Sequence, residues 1–414
     1  MRTRFAKAAV AAKALFATNA MCAGAFLCMT SLAAAQQPIV IRAGTLIDGK
    51  GSVQRNAVIT IEGSKISRLG DRTEHTTYDF SRFTVLPGMI DTHVHIGEHF
   101  GKDGRASNAG ETPAEQALSG AENAYAMLMA GFTTVHSIGR PSDVPLRAAI
   151  ASGRLAGPRL LTSVYQLTDT RLTPEEIRQF VRKSVADGAD VIKIFASKSI
   201  REGGGQTLRD EQIAAACGEA RAQGKRIWVH AHAASAVRAA ALSGCTAVAH
   251  GSQITDADAD LMAARGTYFE PNIGLVSQNY IENKPRYLGI GNFNEAGFDY
   301  MEKGIPIGID TFKRAMAKKV KIVFGTDGGA GAHGRNFEEF IYRVRDGGQQ
   351  PMAALVAAQY TAAESLRMQD SIGSIAPGMQ ADIIATSGSP LEDITNVRKV
   401  VFVMKGGKII KNVK

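Results

Sequence analysis

The chain has 414 residues, of which 45% are hydrophobic, so it is long and apolar enough to bury a large core. Its formal net charge of +9 is small for this length and evenly spread. These values argue against a nucleic-acid partner, because proteins that bind nucleic acids concentrate basic residues in one patch.

Residues 1–35 have the three parts of a secretory signal peptide: a basic start, an apolar middle and an Ala-x-Ala ending. We predict cleavage after Ala35, which takes the formal charge from +9 to +5. A membrane anchor is the alternative, but Thr18, Asn19 and Thr30 interrupt the apolar run. We therefore expect a periplasmic or secreted protein without a stable membrane anchor.

Two cysteines, Cys217 and Cys245, follow the predicted signal peptide. They are too few for a disulfide framework, and the sequence leaves open whether they form a single pair in an oxidising compartment.

Short β-like segments occur near both ends of the mature chain. The early segments are Ile39–Ala43, Ala57–Ile61 and Lys65–Leu69, and the turn sequences Asp48-Gly49-Lys50-Gly51 and Glu62-Gly63 separate them. The late segments are Ala381–Ala385 and Val400–Ile410. We predict that residues 36–87 and 377–414 build one small β-sandwich domain.

Residues 88–376 alternate between strand and helix patterns about eight times, which predicts a (β/α)₈ TIM barrel. The strand candidates are Ile90–His95, Thr133–Ser137, Arg159–Ser163, Val191–Phe195, Ile227–His230, Ala247–His250, Thr267–Pro271 and Ile322–Thr326. The helical patterns include Pro113–Met129, Thr173–Ala186, Leu208–Gln223, Ala233–Leu242 and Asp256–Arg265. A doubly wound open sheet is the rival fold, but no Gly-x-Gly-x-x-Gly follows the first of these strands.

One connection, from Ile273 to about Pro306, is long and rich in aromatic residues. It is predicted to be a loop over the active face, either a lid or a wall of the substrate pocket. A surface excursion that packs its own aromatic residues is the alternative.

Side chains able to bind a metal lie at the ends of the predicted strands. His93 and His95 are two residues apart on a strand, so both imidazoles point to the same side. Such a pair is often merely solvated, but His230, His250 and Asp327 also end apolar strands. In a barrel these side chains meet at one mouth, and together they predict a metal site.

Lys193 interrupts the apolar strand Val191–Phe195. Burial would lower its pKa and favour the neutral amine, which can react with carbon dioxide to give a carbamate able to bridge two metals. The alternative is a structural lysine paired with Asp187 or Asp190, and residue type alone does not decide between the two.

The order His93-x-His95, Lys193, His230, His250 and Asp327 resembles the amidohydrolase superfamily. The flanking motifs Leu86-Pro87-Gly88-Met89-Ile90-Asp91-Thr92 and Gly373-x-x-x-Pro377-Gly378-x-x-Ala381-Asp382 belong to the same resemblance. Within the superfamily the chain is similar to secreted amidohydrolases related to imidazolonepropionase, Xaa-Pro dipeptidase and ochratoxin-degrading amidase. Imidazolonepropionase itself is a cytoplasmic enzyme, which fits poorly with a signal peptide.

The resemblance implies a site with two divalent metal ions, with zinc as the expected metal. His93 and His95 would bind the more buried metal, and His230 and His250 the more exposed one. A carbamate on Lys193 would bridge them. Asp327 would contact the buried metal and act as the catalytic base toward a metal-activated hydroxide.

The resemblance also implies substrate contacts. His232 would contact substrate while His230 binds metal, although the sequence allows the reverse assignment. His333 lies in a motif similar to a substrate-side motif of the relatives, with a loop histidine that caps the next helix as the alternative. His136 is a departure, because many relatives have Arg followed by Asp at this point.

Three residues are candidates from their positions alone. Lys198 and Arg201 follow the fourth barrel strand and could bind a substrate carboxylate, or they could be solvated loop charges. Tyr165 follows the third barrel strand and could donate to an oxyanion, or it could simply pack against its neighbours.

We therefore expect a metal-dependent hydrolase that cleaves an amide bond of a small molecule, such as an N-acyl amino acid or a dipeptide. A lactone, carbamate or phosphoester hydrolase is the alternative. A binding protein that lost catalysis is disfavoured because no ligand is missing. A homo-oligomer is expected, of an order that the sequence does not fix.

Overall fold

The computed structural model describes residues 37–73 and 75–413, and these residues form an α/β fold. The predicted signal peptide, residues 1–35, lies outside the described residues. The strands are β1 (Ile39–Ile47), β2 (Val53–Glu62), β3 (Lys65–Gly70), β4 (Tyr78–Pro87), β5 (Met89–Val94), β6 (Phe132–Ser137), β7 (Arg159–Thr162), β8 (Gln166–Leu167), β9 (Val191–Phe195), β10 (Arg226–Ala231), β11 (Ala247–His250), β12 (Tyr268–Glu270), β13 (Ile383–Thr386), β14 (Val400–Lys405) and β15 (Lys408–Asn412). The helices are α1 (Pro113–Met129), α2 (Asp143–Ala151), α3 (Pro174–Ala186), α4 (Asp210–Ala222), α5 (Ala234–Leu242), α6 (Asp256–Arg265), α7 (Leu275–Glu282), α8 (Lys284–Tyr287), α9 (Glu295–Ala317), α10 (Glu338–Arg345), α11 (Pro351–Ala357) and α12 (Tyr360–Ser365).

The two ends of the chain share one seven-stranded sheet in the order β15-β14-β13-β4-β1-β2-β3. The β1–β2 hairpin turns where the sequence predicts it, because Asp48 Oδ1 accepts hydrogen bonds from the amides of Lys50 and Ser52. The ladder runs from β4 into β13 without a break. These strands enclose an apolar core of their own, and the predicted β-sandwich domain stays a prediction.

The remaining strands form two parallel sheets, β5-β6-β7 and β12-β11-β10-β9-β8. The segment 321–328 lies between β12 and β5. The amide of Phe269 donates to the carbonyl of Lys321 at 2.8 Å, and that of Thr92 donates to the carbonyl of Phe324 at 3.0 Å. On the other side, the amide of Asp190 donates to the carbonyl of Thr162 in β7 at 2.9 Å. Because parallel strands point the same way, their C-terminal ends gather on one face.

Helices begin where the sequence supplies caps. Thr112 and Glu115 form a capping box at the start of α1, and Thr255 and Asp258 form another at α6. These two helices have the predicted bounds.

The predicted loop from Ile273 to Pro306 is instead mostly helical. It contains α7, α8 and the first half of α9, and Pro306 lies inside α9. Asn294 starts α9 by accepting a hydrogen bond from the amide of Gly297 at 2.9 Å. The glycines and the proline hid the helical pattern, but the segment covers the active face as expected.

Cys217 in α4 and Cys245 before β11 form a disulfide, which resolves the alternative left open by the sequence. Residues Gln37–Lys414 form one compact unit, so the domain boundaries near residues 87 and 376 stay predictions. Within residues 37–73 and 75–413, no helix is both long and apolar enough to cross a membrane.

Candidate metal centre and active site

A first group of side chains that could hold a metal ion consists of His93, His95 and Asp327. One ligand atom of each residue lies within 4.8 Å of the others. Asp327 Oδ1 is 2.9 Å from His95 Nε2 and 3.1 Å from His93 Nε2. The backbone holds the group together, because the Asp327 amide donates to the His93 carbonyl at 2.8 Å.

A second group consists of His230, His232 and His250, again with one ligand atom each within 4.8 Å. His230 Nε2 lies 3.3 Å from the carbonyl oxygen of Lys198, which can only accept, so Nδ1 keeps the lone pair. His232 uses Nδ1 in a hydrogen bond with Ser252 Oγ at 2.8 Å and keeps Nε2. The structure therefore places His232 as close to this group as His230, and the choice between them stays a prediction.

The two groups adjoin each other, since the rings of His93 and His250 are 5.7 Å apart between centroids. Burial holds the pKa of His230 and of His250 well below the usual value, so both imidazoles are neutral. Neutral imidazole is the form that binds a metal ion.

Lys193 is fully buried, and its Nζ has no hydrogen-bond partner among the described residues. Burial lowers its pKa to about 8, although the negative charges of Glu270 and Asp327 oppose the shift. The structural alternative fails because both candidate partners are engaged elsewhere. Asp190 binds Arg147, and Asp187 binds Lys183 and Tyr165.

Glu270 at the end of β12 is a buried acid that the sequence analysis missed. It lies 2.5 Å from His93 Nδ1, and it also accepts hydrogen bonds from Thr92 Oγ1 at 2.9 Å and Trp228 Nε1 at 2.8 Å. Burial alone would raise the pKa of Glu270, but the neighbouring His93 outweighs it and lowers the pKa to about 2. The available signal was an acidic residue closing the apolar strand Tyr268–Glu270.

Asp91 is a second missed acid. It accepts hydrogen bonds from Thr326 Oγ1 and from Asn336 Nδ2, each at 2.7 Å, and thereby ties β5 to the segment that carries Asp327. Burial raises its pKa to about 6. Asp91 thus supports the metal centre from below and does not face the cavity.

His136, where the sequence departs from the common family pattern, is also buried beneath the centre. Its Nδ1 donates to the carbonyl of Thr92 at 2.9 Å, and its Nε2 has no partner among the described residues. Burial lowers its pKa to about 3, so the ring is neutral.

Three residues of this face have a strained backbone. His250, Asn272 and Asp327 adopt φ angles of 72°, 49° and 53°, in the left-handed region that residues other than glycine rarely occupy. Strain of this kind is typical of functional sites, where the surrounding structure holds a side chain in a required direction.

Both histidine groups open into a cavity of about 590 Å³, and Lys198 and Arg201 line it as predicted. The Arg201 guanidinium lies 3.9 Å from the ring centroid of Phe293, and its Nε donates to Asn292 at 2.8 Å. Arg201 is therefore held in place by its stacking on the aromatic wall.

Two predicted substrate residues do not line the cavity. Tyr165 turns outward because Val164 before it has a φ of 58°, and its hydroxyl donates to Asp187 at 2.8 Å. His333 is buried, and its Nε2 donates to the carbonyl of Glu98 at 3.0 Å. His333 supports the loop after β5 and neither contacts the cavity nor caps a helix.

Comparisons with known proteins agree with this geometry. The sequence model described as the amidohydrolase family matches residues 84–410. The ochratoxinase of Aspergillus niger is 27% identical over 431 residues, covering 90% of this chain and 86% of the relative. A crystal structure of an Xaa-Pro dipeptidase with bound methionine is 33% identical with a TM-score of 0.83, covering 91% of this chain and 100% of that one. A prolidase complexed with N-methylphosphonate-L-proline is 26% identical with a TM-score of 0.80, at the same coverages.

Proposed function

Because this chain belongs to the amidohydrolase family, we propose that it is an exported hydrolase with two metal ions that cleaves an amide bond in a small molecule. The chain is a hydrolase of carbon–nitrogen bonds, as its family and its relatives establish. Three further points are proposed: the centre has two metals, the protein lies outside the cytoplasm, and the substrate is a small amide.

The proposal of two metals is supported by one arrangement. Two groups of ligand atoms adjoin each other, and the buried amine of Lys193 has no hydrogen-bond partner among the described residues. His93 Nε2 is also buried, and its nearest polar neighbour in the group is the proposed co-ligand Asp327, whose Oδ1 lies 3.1 Å away without forming a hydrogen bond. Orphaned buried polar atoms are costly unless a ligand satisfies them. The donor set of imidazoles and carboxylate fits zinc.

The proposed holders of the metals are His93, His95 and Asp327 on one side and His230 and His250 on the other. We propose that the neutral amine of Lys193 attacks carbon dioxide and releases a proton, which leaves a carbamate anion between the two groups. The anion would place a negative charge in a site that must accept two cations. When bound, divalent ions supply Lewis-acid chemistry that activates water and polarises the carbonyl.

The residues of the chain complete the reaction. Asp327 takes a proton from the attacking water and passes it to the departing amine, because its carboxylate lies between His93 and His95 at the cavity floor. Lys198 and Arg201 would bind a carboxylate on the leaving group by charge-assisted hydrogen bonds. His232 would contact the substrate from the second group.

This assignment favours N-acyl amino acids or dipeptides as substrates. The relatives named ochratoxinase, Xaa-Pro dipeptidase and prolidase support an amide, and the cations at the cavity support a carboxylate.

We also propose that the two parallel sheets close into a (β/α)₈ barrel through residues 321–328. Export is proposed from the sequence of residues 1–35.

The test is hydrolysis of a substrate panel by metal-loaded mature protein. The panel contains N-acyl amino acids, dipeptides, lactones and aryl esters, and each acid is paired with its amidated counterpart. The proposal predicts the highest kcat/KM for amides with a free carboxylate. Faster turnover of lactones or neutral esters than of any amide would contradict it.

A further inference from the structure

We propose that Glu98 and Tyr280 form a subsite for a primary ammonium group on the acyl part of the substrate. The enzyme would then select free dipeptides over N-acylated ones. This inference rests on the proposed function and assigns the chemistry of the substrate's second end.

The backbone of Glu98 is fixed while its carboxylate is free. Its carbonyl accepts hydrogen bonds from Asn123 Nδ2 and His333 Nε2, each at 3.0 Å, and its amide donates to the His95 carbonyl at 2.8 Å. Among the described residues, none donates a hydrogen bond to the Glu98 carboxylate, which lines the cavity with 35% of the side chain exposed. A rigidly mounted carboxylate that accepts no hydrogen bond from the described residues is suited to receive a donor from a ligand.

The two carboxylate oxygens of Glu98 differ in their surroundings. Oε1 is 3.6 Å from His95 Nδ1 and 3.9 Å from Arg140 Nη2, both too far for a hydrogen bond. Oε2 points instead toward Gly329, where a Cβ atom would lie only 2.5 Å from it. Glycine at position 329 therefore leaves room for Oε2, which accepts no hydrogen bond from the described residues.

Tyr280 supplies an independent observation at the same place. It is 8% exposed, and within residues 37–73 and 75–413 its hydroxyl has no hydrogen-bond partner. The hydroxyl oxygen lies 4.0 Å from the same Cβ position at Gly329, so the Tyr280 hydroxyl and Glu98 Oε2 both face this glycine. The Arg201 guanidinium packs on the Tyr280 ring at 5.3 Å from its centroid.

The Arg201 cation thus lies over the ring of Tyr280, and the Glu98 carboxylate lies toward its hydroxyl end. Glu98 adjoins the group of His95, and Lys198 and Arg201 line the same cavity. A free dipeptide matches this arrangement, because its carboxylate and its ammonium group lie on opposite sides of the amide bond. An ammonium group has donors for both Glu98 Oε2 and the Tyr280 hydroxyl oxygen, whereas N-acetylation removes the charge and adds bulk.

The experiment measures binding by calorimetry on metal-loaded Asp327→Asn protein, which should turn over slowly. The probes are L-methionyl-L-proline and N-acetyl-L-methionyl-L-proline. We expect the free dipeptide to bind at least about tenfold tighter, and Glu98→Gln to reduce this preference roughly tenfold or more. Tyr280→Phe, which keeps the ring beneath Arg201, should reduce it several-fold. Glu122→Gln on the exposed face of α1 is the matched control and should leave it unchanged.

An unchanged preference in Glu98→Gln would overturn the inference. An equal loss of affinity for both probes, or a loss of bound metal, would also overturn it, because Glu98 would then act by orienting His95. Turnover by wild-type protein separates this inference from the proposed function. Hydrolysis of amides without a preference for the free amine would refute the subsite alone, whereas a binding preference without hydrolysis of any amide would refute the proposed function alone.

Discussion

His93 donates through Nδ1 to the carboxylate of Glu270, whose Oε1 lies 2.5 Å away in the fully buried floor of the site. This bond fixes the ring so that Nε2 points at Asp327, 3.1 Å away. Carboxylates that hold a metal-binding histidine in this way set both its tautomer and its basicity. Trp228 and Thr92 hold Glu270 in turn.

Glu270→Gln should therefore weaken metal binding about 10- to 100-fold. The amide keeps the size of the side chain but presents a donor to neighbours that are themselves donors. Zinc affinity is measured by competition with a chelator, with Glu62→Gln at the exposed end of β2 as the control. Unchanged affinity in folded Glu270→Gln protein would show that Glu270 does not support the metal centre.

Asp327→Asn should keep the fold and the bound metal but lower kcat by roughly a hundredfold or more, because an amide cannot carry the proton. Steady-state kinetics across pH, with circular dichroism and metal analysis on the same samples, check this. Asp299→Asn, on an exposed part of α9, is the control. Turnover close to wild type at every pH would assign the base to another residue.

Carboxylation of Lys193 should depend on pH. Its pKa of about 8 is below the ordinary value of 10.5, and only the neutral amine attacks carbon dioxide. Metal-free protein is incubated at a fixed concentration of dissolved carbon dioxide, and the initial rate of Lys193 carboxylation is measured as a function of pH. This rate should rise about tenfold per pH unit below that pKa and level off above it. Lys193→Arg protein should not be carboxylated at this position at any pH. A rate that does not change with pH would contradict the proposed chemistry.

Substitutions of Tyr165 and of Arg201 should have different effects on turnover. Tyr165→Phe should leave kcat/KM within about twofold, because its hydroxyl binds Asp187 outside the cavity. Arg201→Ala should raise KM for carboxylated amides by the equivalent of about 2 to 3 kcal/mol, with little effect on amidated counterparts. Lys198→Ala is assayed in parallel, since either cation could bind the carboxylate. Equal losses on both kinds of substrate would show that Arg201 shapes the pocket without recognising charge.

The sequence predicted that the proposed metal ligands come together because each of them closes or interrupts a short apolar strand. Parallel strands bring such ends together whatever the loops between them do, so His93, His230 and Asp327 could be grouped from their strand positions alone. The resemblance to the amidohydrolase superfamily rested on the same residues, and the family match confirms it.

Side-chain direction was harder to predict. The position of Tyr165 after a strand predicts that it lies at the mouth, but Val164 before it has a left-handed backbone and the side chain lies outside the cavity. Glu270 was overlooked because it ends a three-residue strand, where an acidic residue usually faces solvent. Only the packing of His93, Thr92 and Trp228 around it shows that it is buried.

Two further features depended on contacts between distant segments. Pro306 and the nearby glycines suggested a loop, yet α9 runs through them because its apolar face packs against the rest of the fold. The spacing of Cys217 and Cys245 did not determine whether they pair, and the approach of α4 to the start of β11 did.

The central claim is a centre with two metals bridged by modified Lys193. Metal analysis of the mature protein, saturated with zinc and isotope-labelled bicarbonate, tests it most directly when the bound label is quantified in the same sample. We expect about two zinc ions and one label per chain, with the label absent from Lys193→Arg. A single zinc ion per chain with unmodified Lys193 would contradict it.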